Sequence, residues 1–333
     1  MFVLSSYAWA VVFCVVTMLC WGSWANTQKL AGRAWRFELF YWDYVLGVFL
    51  LSVLMAFTLG SIGSAGRGFL EDVAQADSGN MLSAFVGGVV FNIANILLVA
   101  AIAIAGMSVA FPVGIGLALV LGVVVNYLAA PVGNPVVLFL GVGLVAAAIV
   151  LDAAAYRKLP SQGRGLTTKG LVLSILCGVL MGFFYRFVAD SMSTDFVNLE
   201  PGKLGPYSAV FFFSLGLLAS NFVLNPIIMK KPFVGEPVAM SEYFKGSLGL
   251  HSIGVLGGLI WGVGMTFSII ASGQASFAIS YGLGQGATMV AALWGVFIWK
   301  EFKEAPGSTG RLLTLMFLGY LAGLAMIIAA RFN

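Results

Sequence analysis

Apolar residues fall into ten long stretches separated by short charged, polar or Pro/Gly-rich breaks. A transmembrane helix needs about 20 mainly apolar residues to cross about 30 Å of hydrocarbon, and each stretch is long enough. The pattern predicts spans at about 6–27, 40–60, 82–104, 108–129, 135–155, 168–189, 207–228, 249–271, 275–299 and 311–330. The breaks after the third and eighth spans are very short, so each of those pairs is predicted to form a tight antiparallel hairpin.

Composition supports a membrane protein. Only 9% of the 333 residues are charged and 60% are hydrophobic, whereas soluble domains carry about 25% charged residues. The 42 glycines suit helices that pack closely in a bilayer. We therefore expect an all-α membrane protein. The first apolar run lacks a basic leader and ends in tryptophans, which favours a retained helix over a cleaved signal peptide.

The net charge of +4 is interpreted as an orientation signal and predicts no nucleic-acid partner. Basic residues cluster in alternate loops, and such loops are usually cytoplasmic. One face, the basic face, holds Lys29, Arg33, Arg36, Arg157, Lys158, Arg164, Lys169, Lys230, Lys231, Lys245, Lys300, Lys303 and Arg311. The opposite face holds Arg67, Arg186, Lys203 and Arg331. The asymmetry predicts an inner (plasma) membrane protein with both termini outside.

The chain also repeats itself. Gly87–Gly88 align with Gly257–Gly258 at a separation of 170 residues, and similar small residues match further along both segments. This predicts two five-helix repeats, 1–160 and 161–333, in a single membrane domain. Because five is odd, the repeats enter the membrane in opposite orientations, an arrangement of transporters that bind solute between the halves near the midplane.

No enzyme motif is present. The chain has one histidine, no phosphate-binding glycine loop ending in Lys-Ser/Thr and no HExxH. The cysteines Cys14, Cys20 and Cys177 lie in apolar runs without metal-ligand spacing, so we interpret them as small buried hydrophobes. No metal or cofactor is expected. No loop can hold an ATP-hydrolysing domain, so transport must be driven by a solute or ion gradient.

Ionisable residues inside spans are candidate functional groups because charge is costly in hydrocarbon. Asp43 lies among aromatic residues, where desolvation favours proton binding, and is the candidate for ion coupling. Arg186 and Asp190 are four residues apart and can pair as an outer gate or as a simple surface pair. Asp152, followed by two basic residues, and His251, at a span edge, are interpreted as interfacial.

Amide and aromatic side chains supply the candidate solute site. Amides in lipid need partners, so each can also hold helices together, and each tryptophan can also serve packing. Together they offer donors, acceptors and flat rings to an uncharged solute. A cavity lined by the first, third, sixth, eighth and ninth spans is expected. The candidate contacts are Trp24, Asn92, Asn95, Trp261, Gln274, Tyr281 and Gln285. Pro112, followed by Gly114 and Gly116, should kink the fourth span.

Several segments resemble the drug/metabolite transporter superfamily, in particular its glucose/ribose porter and ureide permease branch, which includes rhamnose–proton symporters. They include CWGSWANTQKL, ELFYWDYVLG, LVLSILCGVLMGFF, YSAVFFFSLGLLASNFVLNP and GATMVAALWGVFIWKEFKEAPGSTGR. The resemblance implies a secondary carrier of sugars or of ureides and nucleobases, coupled to protons. It also supports Asp43 as the candidate for ion coupling. Ureide permeases have Gly-Thr-Trp-Pro-Ala where this chain has Gly-Ser-Trp-Ala-Asn at 22–26. This difference leaves the substrate undecided between the sugar and ureide branches.

The leading hypothesis is uptake of a neutral sugar by alternating access with a proton or sodium ion as partner. A carrier of ureides or nucleobases such as allantoin or uracil, and an exporter of drugs or metabolites, are the alternatives. A membrane receptor or scaffold that moves no solute is the hypothesis from a different functional class.

Overall fold

The computed structural model describes residues 1–159 and 167–332. In these ranges ten helices are long and apolar enough to cross a membrane, which confirms the all-α prediction. They are α1 (Tyr7–Ala31), α2 (Phe37–Phe57), α3 (Ser78–Ala105), α4 (Phe111–Ala129), α5 (Pro135–Tyr156), α6 (Thr168–Ser191), α7 (Pro206–Lys230), α8 (Leu248–Ala275), α9 (Phe277–Ile298) and α10 (Ser308–Ala329).

Several helices begin at a polar residue that caps them. The side chains of Ser6, Asn134, Thr167 and Ser247 each accept a hydrogen bond from a backbone N–H of the following first turn. These bonds satisfy donors that the helix itself leaves free. Pro135 adds a fixed φ at the first position of α5, which is compatible with a helix start.

The two short connections are tight, as predicted. Ser276 alone separates α8 from α9, with φ 78° and ψ 158°. Gly106 ends α3 with nearly the same backbone, φ 80° and ψ 166°, and the short helix Met107–Ala110 leads into α4. Positive φ is normally reserved for glycine, so the serine at 276 is held there by its surroundings; its side chain accepts a bond from Ile279 N.

Helices that line the centre of the bundle are interrupted there. The first turn of α4, Phe111–Ile115, is π-helical, as expected for a helix start with Pro112 inside it. Trp24 forms a turn within α1, and Gln285 with Gly286 forms one within α9. Such breaks expose backbone groups at membrane depth, which is tolerated beside a cavity.

The packing order positions the site. Helix α3 packs against α6 and α7, α8 packs against α1 and α2, α4 packs against α6 and α9, and α5 pairs with α10. Short helices cover the loops at the two faces: Phe69–Gln75 lies between α2 and α3, and Met240–Phe244 lies between α7 and α8. A space remains between α1, α3, α4, α6, α8 and α9.

Candidate functional site

A cavity of about 440 Å³ lies at the centre of the bundle, within the usual size range of small-molecule sites. Its walls come from the five expected helices and from α4, which adds Phe111 and Ile115. Gln28 and Ala103, near the basic-face ends of α1 and α3, belong to the lining. The cavity therefore occupies the half of the membrane nearest the basic face.

Aromatic rings form most of the floor and walls. Trp21 and Trp261 stack with ring centroids 5.8 Å apart, and Phe91 lies 4.4 Å from Trp261. Trp24, one turn after Trp21, packs 4.7 Å from Tyr44, which also lies 6.4 Å from Trp261. The indole N–H of Trp21 donates to the Trp261 carbonyl at 3.3 Å. These rings are fixed by neighbours, so they present flat apolar surfaces to a solute.

Uncharged polar side chains interrupt the aromatic walls. Gln28, Asn95, Gln285 and Thr288 belong to the lining, and no charged residue of the described chain does. The side-chain amides of Gln28 and Gln285 have no hydrogen-bond partner among the residues that the structure describes. Each amide offers both a donor and an acceptor. The lining is therefore suited to a neutral guest that can pair with amides.

Of the predicted contacts, Trp24, Asn95, Trp261 and Gln285 line this cavity. Asn92 lies behind it, completely buried. The hydroxyl of Tyr41 donates to Asn92 Oδ1 at 3.0 Å and accepts from Asn95 Nδ2 at 3.1 Å. Asn92 and Tyr41 thus orient Asn95 rather than touch the cavity.

Tyr281 and Gln274 also lie outside the lining, towards the opposite face. The Tyr281 hydroxyl lies 3.1 Å from the carbonyls of both Ala118 and Met181, so it joins α9 to α4 and α6 directly below the cavity. Gln274 Nε2 donates to the Leu4 carbonyl at 3.1 Å. Both residues hold the bundle together on the side where the cavity ends.

The loops of the opposite face are also joined. Arg67 donates to the carbonyls of Leu199, Glu200 and Lys203 and pairs with the buried carboxylate of Asp72 at 3.0 Å. Since Arg67 precedes α3 and its carbonyl partners precede α7, this cluster ties the two loops over the bundle.

Asp43 lies on the basic side of α2 and is only 2% exposed. Three side chains surround its carboxylate: the Trp35 indole N–H at 3.2 Å, the Tyr243 hydroxyl at 2.7 Å, and His251 Nδ1 at 2.9 Å. Burial, followed by the bond to Asp43, raises the pKa of Tyr243, so this phenol remains a donor at neutral pH. The cluster joins α2, α8 and the Met240–Phe244 helix.

Two residues interpreted as interfacial lie near the basic-face ends of their helices, and neighbouring elements contact both. His251 contacts Asp43, because the loop before α8 folds back over the start of α2. Asp152 is 5% exposed, because α10 and the segment after α9 cover it. Arg186 and Asp190 do pair on α6, and both remain partly exposed. Tyr41 and Tyr243 could not be found from the sequence, because a tyrosine in an apolar or loop segment carries no signal of its hydroxyl partner.

Comparison with known proteins identifies relatives over the whole chain. The family model described as ureide permease matches residues 40–164 and 157–330. Ureide permease 1 of Arabidopsis thaliana is 23% identical, and the match covers 99% of both chains. A probable ureide permease of Vigna unguiculata is 29% identical over 86% of this chain and 94% of its own.

A more restricted match connects the chain to a sugar carrier. A probable glucose uptake protein of Staphylococcus aureus is 30% identical over 107 residues, 32% of each protein. One solved crystal structure superposes with a TM-score of 0.57, covering 97% of this chain and 98% of its own at 16% identity. That likeness concerns the fold alone.

Proposed function

The chain belongs to the ureide permease family, and from this premise we propose that it carries a small neutral solute with ring amide groups, of the ureide or nucleobase class. Membrane transport itself follows from the family and from the ten spanning helices. The solute class is supported by the relatives named as ureide permeases and by the chemistry of the cavity.

The observation that carries the proposal is a charge-free cavity with indole walls and free amides. A flat heterocycle can stack on Trp261 or Trp24 while its N–H and C=O edge pairs with Gln28, Asn95 or Gln285. A charged solute would need a counter-charge, since burying an unpaired charge is costly. The lining supplies none among the described residues.

Sugar uptake, the leading hypothesis from the sequence, becomes the second candidate. It is favoured by the glucose uptake relative, which matches a third of the chain. A sugar carries hydroxyls around its whole ring, and each buried hydroxyl needs a partner. Because the lining is mainly apolar, with four uncharged polar side chains, it suits an amide edge better than a ring of hydroxyls.

We propose alternating access between two inverted repeats, 1–160 and 161–333. The support is a set of close contacts that recur at the repeat spacing. A Cβ on Gly88 of α3 would lie 1.9 Å from the Phe213 carbonyl of α7, and one on Gly258 of α8 would lie 2.0 Å from the Tyr44 carbonyl of α2. The glycines are 170 residues apart and the carbonyls 169. Exchange of the repeats therefore maps one contact onto the other.

The same proposal assigns the gates. With the basic face cytoplasmic and both termini outside, the cavity borders the cytoplasm, and the Tyr281 contacts close the outer side together with the Arg67 cluster. The Arg186–Asp190 pair belongs to that outer closure. Asp43 couples the ion: a proton on its carboxyl would weaken its bonds to Tyr243 and His251 and free the Met240–Phe244 helix from α2.

Ligand-dependent stability tests the solute class on purified protein. A ligand that binds only the folded state stabilises it by about 2.7 kcal/mol at 100 times its Kd. Allantoin, uracil and glucose are compared, with allantoate as the ring-opened, negatively charged analogue of allantoin. We expect allantoin or uracil to raise the melting temperature and allantoate to have no effect. Stabilisation by glucose alone would favour the sugar carrier, and stabilisation by allantoate would contradict a site for neutral solutes.

A further inference from the structure

Asp152 is a buried carboxyl group that forms no ion pair with the residues that the structure describes. It lies one turn before the basic-face end of α5 and is 5% exposed. Its Oδ1 has no hydrogen-bond partner in the part of the chain that the structure describes. Of the basic residues that follow it, Lys158 Nζ donates to Ser308 Oγ at 2.9 Å, and Arg157 forms no hydrogen bond or ion pair with Asp152 among the described residues.

The other buried acids of the described chain are held by donors. Glu38 pairs with Arg36 at 2.9 Å, Asp72 pairs with Arg67, and Asp43 has its three donors. Donors of this kind stabilise the charged form of a carboxylate. Asp152 lacks them, so the neutral, protonated carboxyl is the form that its surroundings favour.

A second carboxylate acts on Asp152. Glu301, in the segment after α9, lies within electrostatic range of it. Glu301 Oε1 pairs with Lys29 at 2.6 Å, and its Oε2 accepts from the Tyr156 hydroxyl at 3.1 Å. Glu301 thus has a cation and a hydrogen-bond donor, whereas Asp152 has neither among the described residues.

The remaining described neighbours of Asp152 add no further charge to its surroundings. From α10, the buried, uncharged hydroxyl of Tyr320 lies within electrostatic range of Asp152. The segment 107–129, which also packs against α5, contains no charged residue. Lys29, held by Glu301 at 2.6 Å, is a cation through which a charge on Asp152 could act.

We propose that Asp152 is a proton-binding site linked to α1 through Glu301 and Lys29. When the proton leaves for water at the basic face, the new carboxylate repels Glu301 and competes with it for Lys29. Lys29 belongs to the end of α1 that carries Trp24 and Gln28 into the cavity wall. Binding or release of the proton at Asp152 thus changes the Lys29–Glu301 ion pair that holds this part of the cavity wall. Its use in transport rests on the proposed function, whereas the binding of the proton does not.

Infrared difference spectroscopy tests the site without any solute. Spectra of the purified protein at low and high pH are expected to show the carbonyl stretch of a protonated carboxyl that disappears as pH rises. The Asp152→Asn variant, an isostere of the neutral form, should fold normally and lose this band. Asp43→Asn and the exposed Asp195→Asn should retain it. Glu301→Gln removes the nearby negative charge and should move the midpoint of the titration to lower pH.

Trp299 provides a second readout. Lys29 Nζ lies 4.2 Å from the centre of its ring, so a change in the Lys29–Glu301 pair should alter Trp299 emission. We expect a pH-dependent emission change that Asp152→Asn or Trp299→Phe abolishes. An Asp152→Asn difference spectrum identical to that of the unaltered protein, or a band that titrates with Na⁺ at constant pH, would overturn the proposal. If the band behaves as expected while no solute in the thermal panel binds, the proton site stands and the proposed solute class fails.

Discussion

The close approach of α8 to α2 at Gly258 makes a strong prediction. An added Cβ would lie 2.0 Å from the Tyr44 carbonyl and 2.8 Å from Val48 N. Such contacts are essentially never below 3.0 Å, so the Gly258→Ala variant must move the two backbones apart by about 1 Å. Since both obstacles are backbone atoms, a side-chain rotation cannot relieve the clash.

The expected loss of stability in Gly258→Ala is the difference between two opposing effects. Overpacking of a well-packed contact typically costs about 1–3 kcal/mol, and a rigid backbone obstacle places this case near the upper end. Alanine gains about 1 kcal/mol over glycine in helix propensity. The expected net destabilisation is therefore about 2 kcal/mol. Gly88→Ala, which meets the Phe213 carbonyl of α7 at 1.9 Å, should lose a similar amount.

The matched controls lie on the same two helices. A Cβ on Gly79 of α3 would meet nothing within 4 Å, and one on Gly249 of α8 would meet only Ser247 Oγ at 3.8 Å. Thermal unfolding in detergent, followed by tryptophan fluorescence, should show lower melting temperatures for Gly88→Ala and Gly258→Ala. The controls, which gain helix propensity without a clash, should have unchanged or higher melting temperatures. If only one of the two variants were destabilised, the repeat-related packing would be refuted. If neither variant were destabilised, the close approach of the helices at these glycines would be refuted as well.

Three further outcomes are expected. Trp261→Ala should weaken solute binding at least about tenfold, or about 1.4 kcal/mol, whereas Trp9→Ala, at an exposed position, should leave it unchanged. If a thermal-shift titration gave Trp261→Ala and Trp9→Ala the same affinity for solute, Trp261 would not belong to the site. Tyr41→Phe leaves Asn92 and Asn95 without their shared partner and should cost about 1–3 kcal/mol. Tyr44→Phe removes a buried hydroxyl that has no partner in the described part of the chain and should be neutral in the same unfolding assay. Asp43→Asn should abolish uptake against a gradient but retain exchange, and a variant that still concentrates solute would contradict the coupling role.

The sequence predicted the spans well because membrane helices carry their signal locally, in the length of each apolar run. The ends were less predictable. Helix α3 begins at Ser78 rather than near 82, and α1 continues to Ala31 beyond a turn at Trp24. Polar residues such as Lys29 extend these helices past the apolar run, where capping and loop packing decide the boundary.

The site was predicted only in part because burial depends on partners that are distant in sequence. Trp24 and Trp261 could be chosen since large rings deep in spans are unusual outside a cavity. Asn92 has the same local signal as Asn95, yet it lies behind the wall, where its Nδ2 donates to Ser220 Oγ of α7, 128 residues away. Asp152 is followed by basic residues that suggested an interface, while its burial comes from α10 and the segment that contains Glu301.

The central claim is that the charge-free cavity carries a neutral, amide-bearing ring across the membrane. Counterflow in proteoliposomes tests it most directly: vesicles loaded with unlabelled allantoin or uracil are diluted into trace amounts of the labelled compound. The account predicts transient accumulation of label that is lost in Trp261→Ala and that internal allantoate cannot drive. Accumulation driven equally by allantoate, or no exchange with either neutral ring while glucose is exchanged, would contradict it.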